Sequence, residues 1–225
     1  MKVFERITGS TIKEEVYRSI KDAILNGKLR PEDTLVEMEI AREMNISRAP
    51  IREALNKLEQ EQFVVSVPRK GYHVAPITEK GIKEIYETRL LMEPFAIRKT
   101  IGEIRLEEIL EVEGFINDVA NNLTDYEKYI KADKSLHGLL HKYLSNEYMK
   151  NIMVAMEEHS MRTRYSESYE GLNKRDVLMI IEEHLEIINA LKHRNAEEAA
   201  LAVYNHVANG EKRTLNPIIS HGEDI

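Results

Sequence analysis

With 225 residues and a 42% hydrophobic fraction, the chain has material for one large core or two ordinary ones, and its lack of cysteine excludes disulfide frameworks, thiolate metal sites and cysteine nucleophiles. MKVFERITGS has no apolar leader core, and no run approaches the roughly 18 apolar residues of a membrane helix, so a cytoplasmic protein with no membrane partner is expected. The formal charge of −7 argues against a nucleic-acid partner only until it is divided: residues 1–75 carry 13 Lys and Arg against 12 Asp and Glu, and the remainder 19 against 27, so the acid lies in the second part.

In TIKEEVYRSIKDAILN, Ile12, Val16, Ile20, Ala23 and Ile24 recur at helical spacing, with Ser10 or Thr11 as N-cap and Gly27 as stop. GKLRPEDTL is a turn-rich connector. VEMEIAREM gives a short second helix with Met38, Ile40 and Ala41 inward, and Asn45 suits the left-handed residue a helix end requires. Ser47 is the N-cap candidate for a third helix, and Pro50 falls in its first turn, where a missing N–H costs nothing. After Phe63 the period changes: VVSV and YHVA are short strands joined by PRKG, a tight hairpin tip carrying two bases. This order is that of a winged helix-turn-helix over residues 1–76, closed by the linker API at 75–77.

From Thr78, a cap candidate, only helical patterns follow, about 79–101, 103–122, 125–144, 146–165, 174–193 and 195–213, with Pro94 a candidate kink and NPIISHGEDI a frayed tail. The expected fold is mainly α: an N-terminal winged helix-turn-helix with a small β wing, then an antiparallel bundle of about six helices over 77–225.

The third helix has two faces. Ile51, Leu55 and Leu58 form a stripe for burial, whereas Arg48, Arg52 and Asn56 fall at i, i+4 and i+8 on another side. A helix fits the major groove and an arginine fork bonds two acceptors on a guanine edge, so Arg48 and Arg52 suit base reading in double-stranded DNA. Asn56 or Lys57 then suits phosphate, and Arg69, Lys70 and Gly71 at the wing tip suit the flanking backbone or minor groove. The plainer alternative is a solvated helix whose arginines pair with Glu53 or Glu59.

TLVEMEIAREMNISRAPIREALNKLEQEQFVVSVPRKGYHV resembles the winged-helix domain of the GntR family of bacterial transcription regulators, with SRAPIREAL the strongest segment. Two departures stand out: Asn45 and Gln62 occupy positions where the family commonly has glycine. The resemblance places the family's DNA contacts on Arg48, Arg52 and Gly71. It also implies a homodimer, and hence half-sites in a pseudo-palindromic operator.

A second constellation lies in the helical part. Asp133 and His137 are four apart, hence stacked on one helical face, and two later helices carry His184 and His206. One carboxylate and three imidazoles converging in a bundle suit a divalent transition metal, Zn²⁺ first, with Ni²⁺ or Mn²⁺ as alternatives. His141 and His159 compete for the same role, and a lone helical histidine is commonly a hydrogen-bonded residue instead. IKEIYETRLLMEPFAIRKT resembles the start of the FCD ligand-binding domain of one GntR branch, in its shorter VanR-like form. The resemblance implies metal ligation by Asp133, His137, His184 and His206. It places Arg89, in RLLME, where it can pair with a small organic-acid effector or instead with Glu93; Arg162 and Arg164 are further candidates. The expected function is a ligand-responsive regulator, most simply a repressor. A metal-free regulator sensing a larger acyl-type ligand stays open, as does a metal-dependent enzyme, although HGLLH lacks the glutamate of HExxH.

Overall fold

The computed structural model describes residues 12–163 and 174–222, so the cap candidates Ser10 and Thr11, and Arg164, lie outside the described residues. The chain divides into two compact units between Ile77 and Thr78.

The first unit runs α1 (Ile12–Leu25), β1 (Thr34–Leu35), α2 (Glu37–Glu43), α3 (Arg48–Gln60), β2 (Val64–Val67) and β3 (Gly71–Val74). Val16, Ile20 and Ile24 of α1 meet Ile51, Leu55 and Leu58 of α3, and Phe63, Val64 and Val74 close the core. Each such fully buried aliphatic contributes about 1.5–3 kcal/mol, so this stripe fixes which side of α3 faces outward. The strands form an antiparallel sheet in the order β1-β3-β2, with Val64 opposite Val74 and Val67 opposite Gly71. Strand β1 was not expected: at two residues, hidden in the connector, it is too short to carry a period. Met38 also departs from expectation. It is 66% exposed, and α2 seats itself on the buried Ala41 with Ile40 and Met44 packed alongside.

Helices α2 and α3 end in the same way. Asn45 (φ 52°) and Gln62 (φ 63°) both adopt the left-handed conformation. Around them, Ile46 N–H donates to Ala41 O and Asn45 N–H to Arg42 O, while Phe63 N–H donates to Leu58 O and Gln62 N–H to Glu59 O. These are paired 6→1 and 5→2 bonds, the Schellman arrangement that usually takes glycine. Gln62 therefore makes the turn into the wing that glycine makes elsewhere, with a steric cost of about 1–2 kcal/mol for its Cβ. The substitution Gln62→Gly is expected to raise stability by about 1 kcal/mol in urea unfolding, because relief of that strain exceeds the added chain entropy of glycine. A loss would show that the glutamine side chain carries an interaction outweighing the strain.

Among its described residues the second unit consists of helices joined by short turns: α4 (Glu79–Thr100), α5 (Leu106–Asn121), α6 (Tyr126–Lys142), α7 (Glu147–Thr163), α8 (Lys174–Lys192) and α9 (Ala196–Gly222). Thr78 caps α4, its Oγ1 accepting from Gly81 N–H at 3.1 Å, and the helix continues through Pro94. Helices α4 and α9 lie antiparallel, tied by Arg98–Glu197 at one end and Tyr86–Thr214 at the other. Gly210 permits their close approach, since a Cβ there would stand 3.3 Å from the Tyr86 ring. The tail reading needs correction: α9 runs on to Gly222 instead of ending near 213. Thr214 and Leu215 are buried, so packing continues beyond 213, up to the Asn216-Pro217 step where the sequence pattern breaks.

Candidate nucleic-acid interface and metal centre

On α3 the buried stripe leaves Arg48 and Arg52 on the outer side, with side chains 60% and 58% exposed. Neither pairs with Glu53 or Glu59. Both instead donate to Glu37 at the start of α2: Arg52 Nε to Oε1 at 3.0 Å, Arg52 Nη2 to Oε2 at 2.9 Å, and Arg48 Nη2 to Oε2 at 3.1 Å. The hydrogen bonds from Arg52, then Arg48, hold the Glu37 carboxyl below its ordinary pKa. Asn56 lies further round the helix and accepts from Tyr72 OH of β3 at 2.5 Å, which fixes the wing to α3. Lys57 is not brought together with the arginines. A helical turn of 100° per residue puts it on the opposite flank, where its Nζ stands 3.7 Å from the centre of the Tyr17 ring on α1.

At the wing tip Lys70 N–H donates to Val67 O, with Pro68 second in the turn and Arg69 third at φ 69°, a type II pattern. Gly71 follows at φ 84°, and nothing lies within 4 Å of a Cβ placed on it. Its left-handed backbone, not packing, therefore calls for glycine here.

In the helical unit, Asp133 and His137 of α6, His184 of α8 and His206 of α9 are brought together. All four are buried, and each offers one ligand atom within 4.8 Å of the others. Asp133 Oδ1 is 3.7 Å from His137 Nε2 and 3.8 Å from His184 Nε2; His137 Nε2 is 3.3 Å from His206 Nε2. The outer nitrogens face carboxylates: His137 Nδ1 meets Glu93 Oε2 at 3.2 Å and His206 Nδ1 meets Glu183 Oε2 at 2.9 Å.

Those carboxylates are held ionised. Burial alone would raise both pKa values, but Arg89 and His137 outweigh it at Glu93, and His206 and Arg213 outweigh it at Glu183, which drops to about 2. An ionised carboxylate only accepts, so each Nδ1 presents its N–H to it, and His206, depressed to about 4 chiefly by burial, is neutral near pH 7 and turns the lone pair of its Nε2 inward. The Nε2 atoms of His137 and His206 thus face one another at 3.3 Å, and the buried Nε2 of His184 has no hydrogen-bond partner among the described residues. A cation held among these atoms would give His184 Nε2 the partner it lacks. Ligands about 2.0–2.2 Å from a tetrahedral ion stand roughly 3.3–3.6 Å apart, close to the three separations of 3.3, 3.7 and 3.8 Å, while the cluster as a whole spans up to 4.8 Å.

Of the two contacts that the sequence offered for Arg89, the structure shows the one with Glu93, and the same guanidinium also reaches Ser160 and His137. Its Nε donates to Glu93 Oε1 at 2.5 Å, Nη1 donates to Ser160 Oγ at 2.8 Å, and Nη2 lies 3.5 Å from His137 Nε2. His141 stands apart and pairs with Glu157 at 2.8 Å. His159 is also outside the cluster. Arg162 is buried at the end of α7, its pKa pushed down to about 10 by desolvation. Glu93 and Glu183 were missed as functional residues. In sequence Glu93 signals only an intrahelical partner for Arg89, and Glu183 carries no signal separate from His184.

Comparison with known proteins fits both halves of this picture. Residues 12–74 match "Bacterial regulatory proteins, gntR family" and residues 84–209 match "FCD domain". The chain belongs to the GntR family, in its FCD branch. GntR regulators are DNA-binding transcription factors and not enzymes. The HTH-type regulator YdhC of Bacillus subtilis is 28% identical over 209 residues, covering 89% of this chain and 91% of its own. The gluconate operon transcriptional repressor of the same organism is 29% identical over 196 residues, covering 80% and 75%. Among solved structures, the Zn²⁺-bound FCD domain of the regulator TM0439 is 28% identical with a TM-score of 0.54, covering 65% of this chain and 99% of that one. That domain has also been solved metal-free.

Proposed function

We propose that this GntR regulator is a ligand-responsive repressor whose FCD unit holds one divalent transition metal, Zn²⁺ first, on Asp133, His137, His184 and His206. The observation that carries the metal is the convergence of four buried ligand atoms within 4.8 Å of one another, one of them the Nε2 of His184 that lacks a hydrogen-bond partner among the described residues. The Zn²⁺ in the related FCD domain supports the choice of ion, and Ni²⁺ or Mn²⁺ would suit the same mixed donors. With neutral imidazoles, Asp133, Glu93 and Glu183 against Arg89 and Arg213 leave one net negative charge, which a divalent ion turns to one positive. A small organic-acid effector then balances the site, its carboxylate completing the coordination and pairing with Arg89.

Effector binding shifts DNA affinity by the difference in its affinity for two arrangements of a homodimer, which reads half-sites of a pseudo-palindromic operator in the cytoplasm. A relative named as a repressor supports that sign of control. In this reading Arg48 and Arg52 meet base edges. Asn56, Lys57, Arg69, Lys70 and Gly71 contribute phosphate or groove contacts, Lys57 from the α1 flank and Asn56 through its bond to the wing. The substitution Arg52→Ala is expected to weaken binding to the selected operator roughly ten- to hundredfold and to relax the preference at one base pair. Fluorescence anisotropy against duplexes varied one position at a time checks this; unchanged affinity and preference would remove Arg52 from the interface. Elemental analysis of gently purified protein tests the metal, with about one ion per chain expected.

A further inference from the structure

Two guanidinium groups on an exposed helix face would ordinarily sample many rotamers and settle on the nearest phosphates. Here a single carboxylate restrains both. Glu37 is only 15% exposed in its side chain, beneath arginines about four times more exposed, and it takes three hydrogen bonds from them. The pairing with Arg52 uses one edge of the guanidinium, Nε with Nη2, so that Nη1 on the terminal edge is not engaged by Glu37 in a side chain 58% exposed. That terminal edge is the one a guanine O6/N7 pair accepts from.

The neighbouring carboxylate on the same side of α3 is committed elsewhere, Glu59 Oε1 accepting from Ser66 N–H of the wing at 3.0 Å. Glu37 is thus the acid that both arginines share among the described residues.

We infer that Glu37 is a positioning residue for sequence reading: it buttresses Arg52 and Arg48 in one orientation and withholds them from indiscriminate phosphate contact. Two physical effects act together. Holding the side chains in advance removes part of the rotamer entropy otherwise lost on binding the correct site. One negative charge under two positive ones lowers the pull toward any duplex, since non-specific binding is almost wholly the phosphate term. Discrimination between operator and random DNA therefore grows from both ends. The inference rests on the assignment of Arg48 and Arg52 to base edges.

The test uses the full chain, a duplex selected by the wild-type protein from a random-sequence pool, and a scrambled duplex of the same composition. Glu37→Ala is expected to weaken binding to the selected duplex about tenfold, the scale of one good base contact. It should also tighten binding to the scrambled one and steepen its salt dependence by about one unit of log–log slope as a freed arginine engages phosphate. Glu37→Gln keeps the shape but turns an N–H donor toward an arginine donor, so it should move in the same direction. Equal tightening on both duplexes would overturn the inference, because Glu37 would then only compete with DNA. Parallel weakening on both with no change of salt slope would overturn it too, because the role would be structural. Arg52→Ala run alongside separates the two layers. If it leaves the selected duplex unaffected, the assignment of the arginines fails; if it weakens binding while both Glu37 variants behave as wild type, only the buttress fails.

Discussion

His184→Ala is expected to strip the protein of its metal, from about one ion per chain to background after the same gentle purification, while His141→Ala retains it. The two substitutions remove the same side chain from comparably buried sites. His184 ends at an Nε2 with no partner among the described residues, whereas His141 ends on Glu157, away from the cluster. Loss of metal in both variants would point to general loosening of the bundle. Retention in both would refute the ligand set.

Removal of the ion should also be visible in stability. A ligand that binds only the folded state contributes about 2.7 kcal/mol when its free concentration is 100 times Kd, and for a chain of this size that is on the order of 5–10 °C in melting temperature. Chelation is expected to lower the melting temperature of the wild type by about that amount and to leave His184→Ala unchanged.

The chelated protein has its own pH signature. Burial, aided by the neighbouring imidazoles, depresses His206 to about 4 and His184 well below its ordinary value. A histidine depressed in the folded state stays neutral while its unfolded counterpart takes up a proton near 6.5. The stability this provides is full above that value and is lost as pH falls from about 6.5 toward 4. Glu183 adds a second, more acid window. It is held to about 2 against an unfolded value near 4.3, and loses its contribution between the two.

Much of this site was legible in sequence for a simple reason: helical spacing is short-range geometry. Asp133 and His137 share a face by the 3.6 period, and Ile51, Leu55 and Leu58 fix which side of α3 Arg48 and Arg52 occupy. What stayed hidden depends on tertiary approach. Glu37 lies 11 and 15 positions before the arginines it holds, and Glu183 meets His206 from another helix. Lys57 stood next to Asn56 in sequence, yet the helix carries it 100° away, onto Tyr17. Asn45 and Gln62 show the opposite case. Both depart from glycine, and the hydrogen-bonded helix ends they close impose the left-handed conformation on whatever residue stands there.

Arg89→Ala is expected to be the most destabilising single change in the helical unit, because it strands a charge. Arg89 is 3% exposed and Glu93 6%. Removing one partner of such a buried pair typically costs about 3–5 kcal/mol, since the remaining charge stays desolvated without compensation. At roughly 2–4 °C per kcal/mol the melting temperature should fall by on the order of 10 °C. The double substitution Arg89→Ala with Glu93→Ala removes both charges and should recover part of that loss, a coupling that a double-mutant cycle reads directly.

Arg89→Lys separates the two roles of the side chain. It keeps a positive charge near Glu93 but not the fork that reaches Glu93 and Ser160 together. Stability should then fall less than in Arg89→Ala. Metal affinity should still weaken, within the 10–100-fold range seen when the groups that orient a ligand are disturbed, because Glu93 no longer holds His137 Nδ1 as firmly. A lysine variant with full metal affinity would show that Arg89 does not order the site, and an alanine variant losing less than about 1 kcal/mol would show that it does not compensate Glu93.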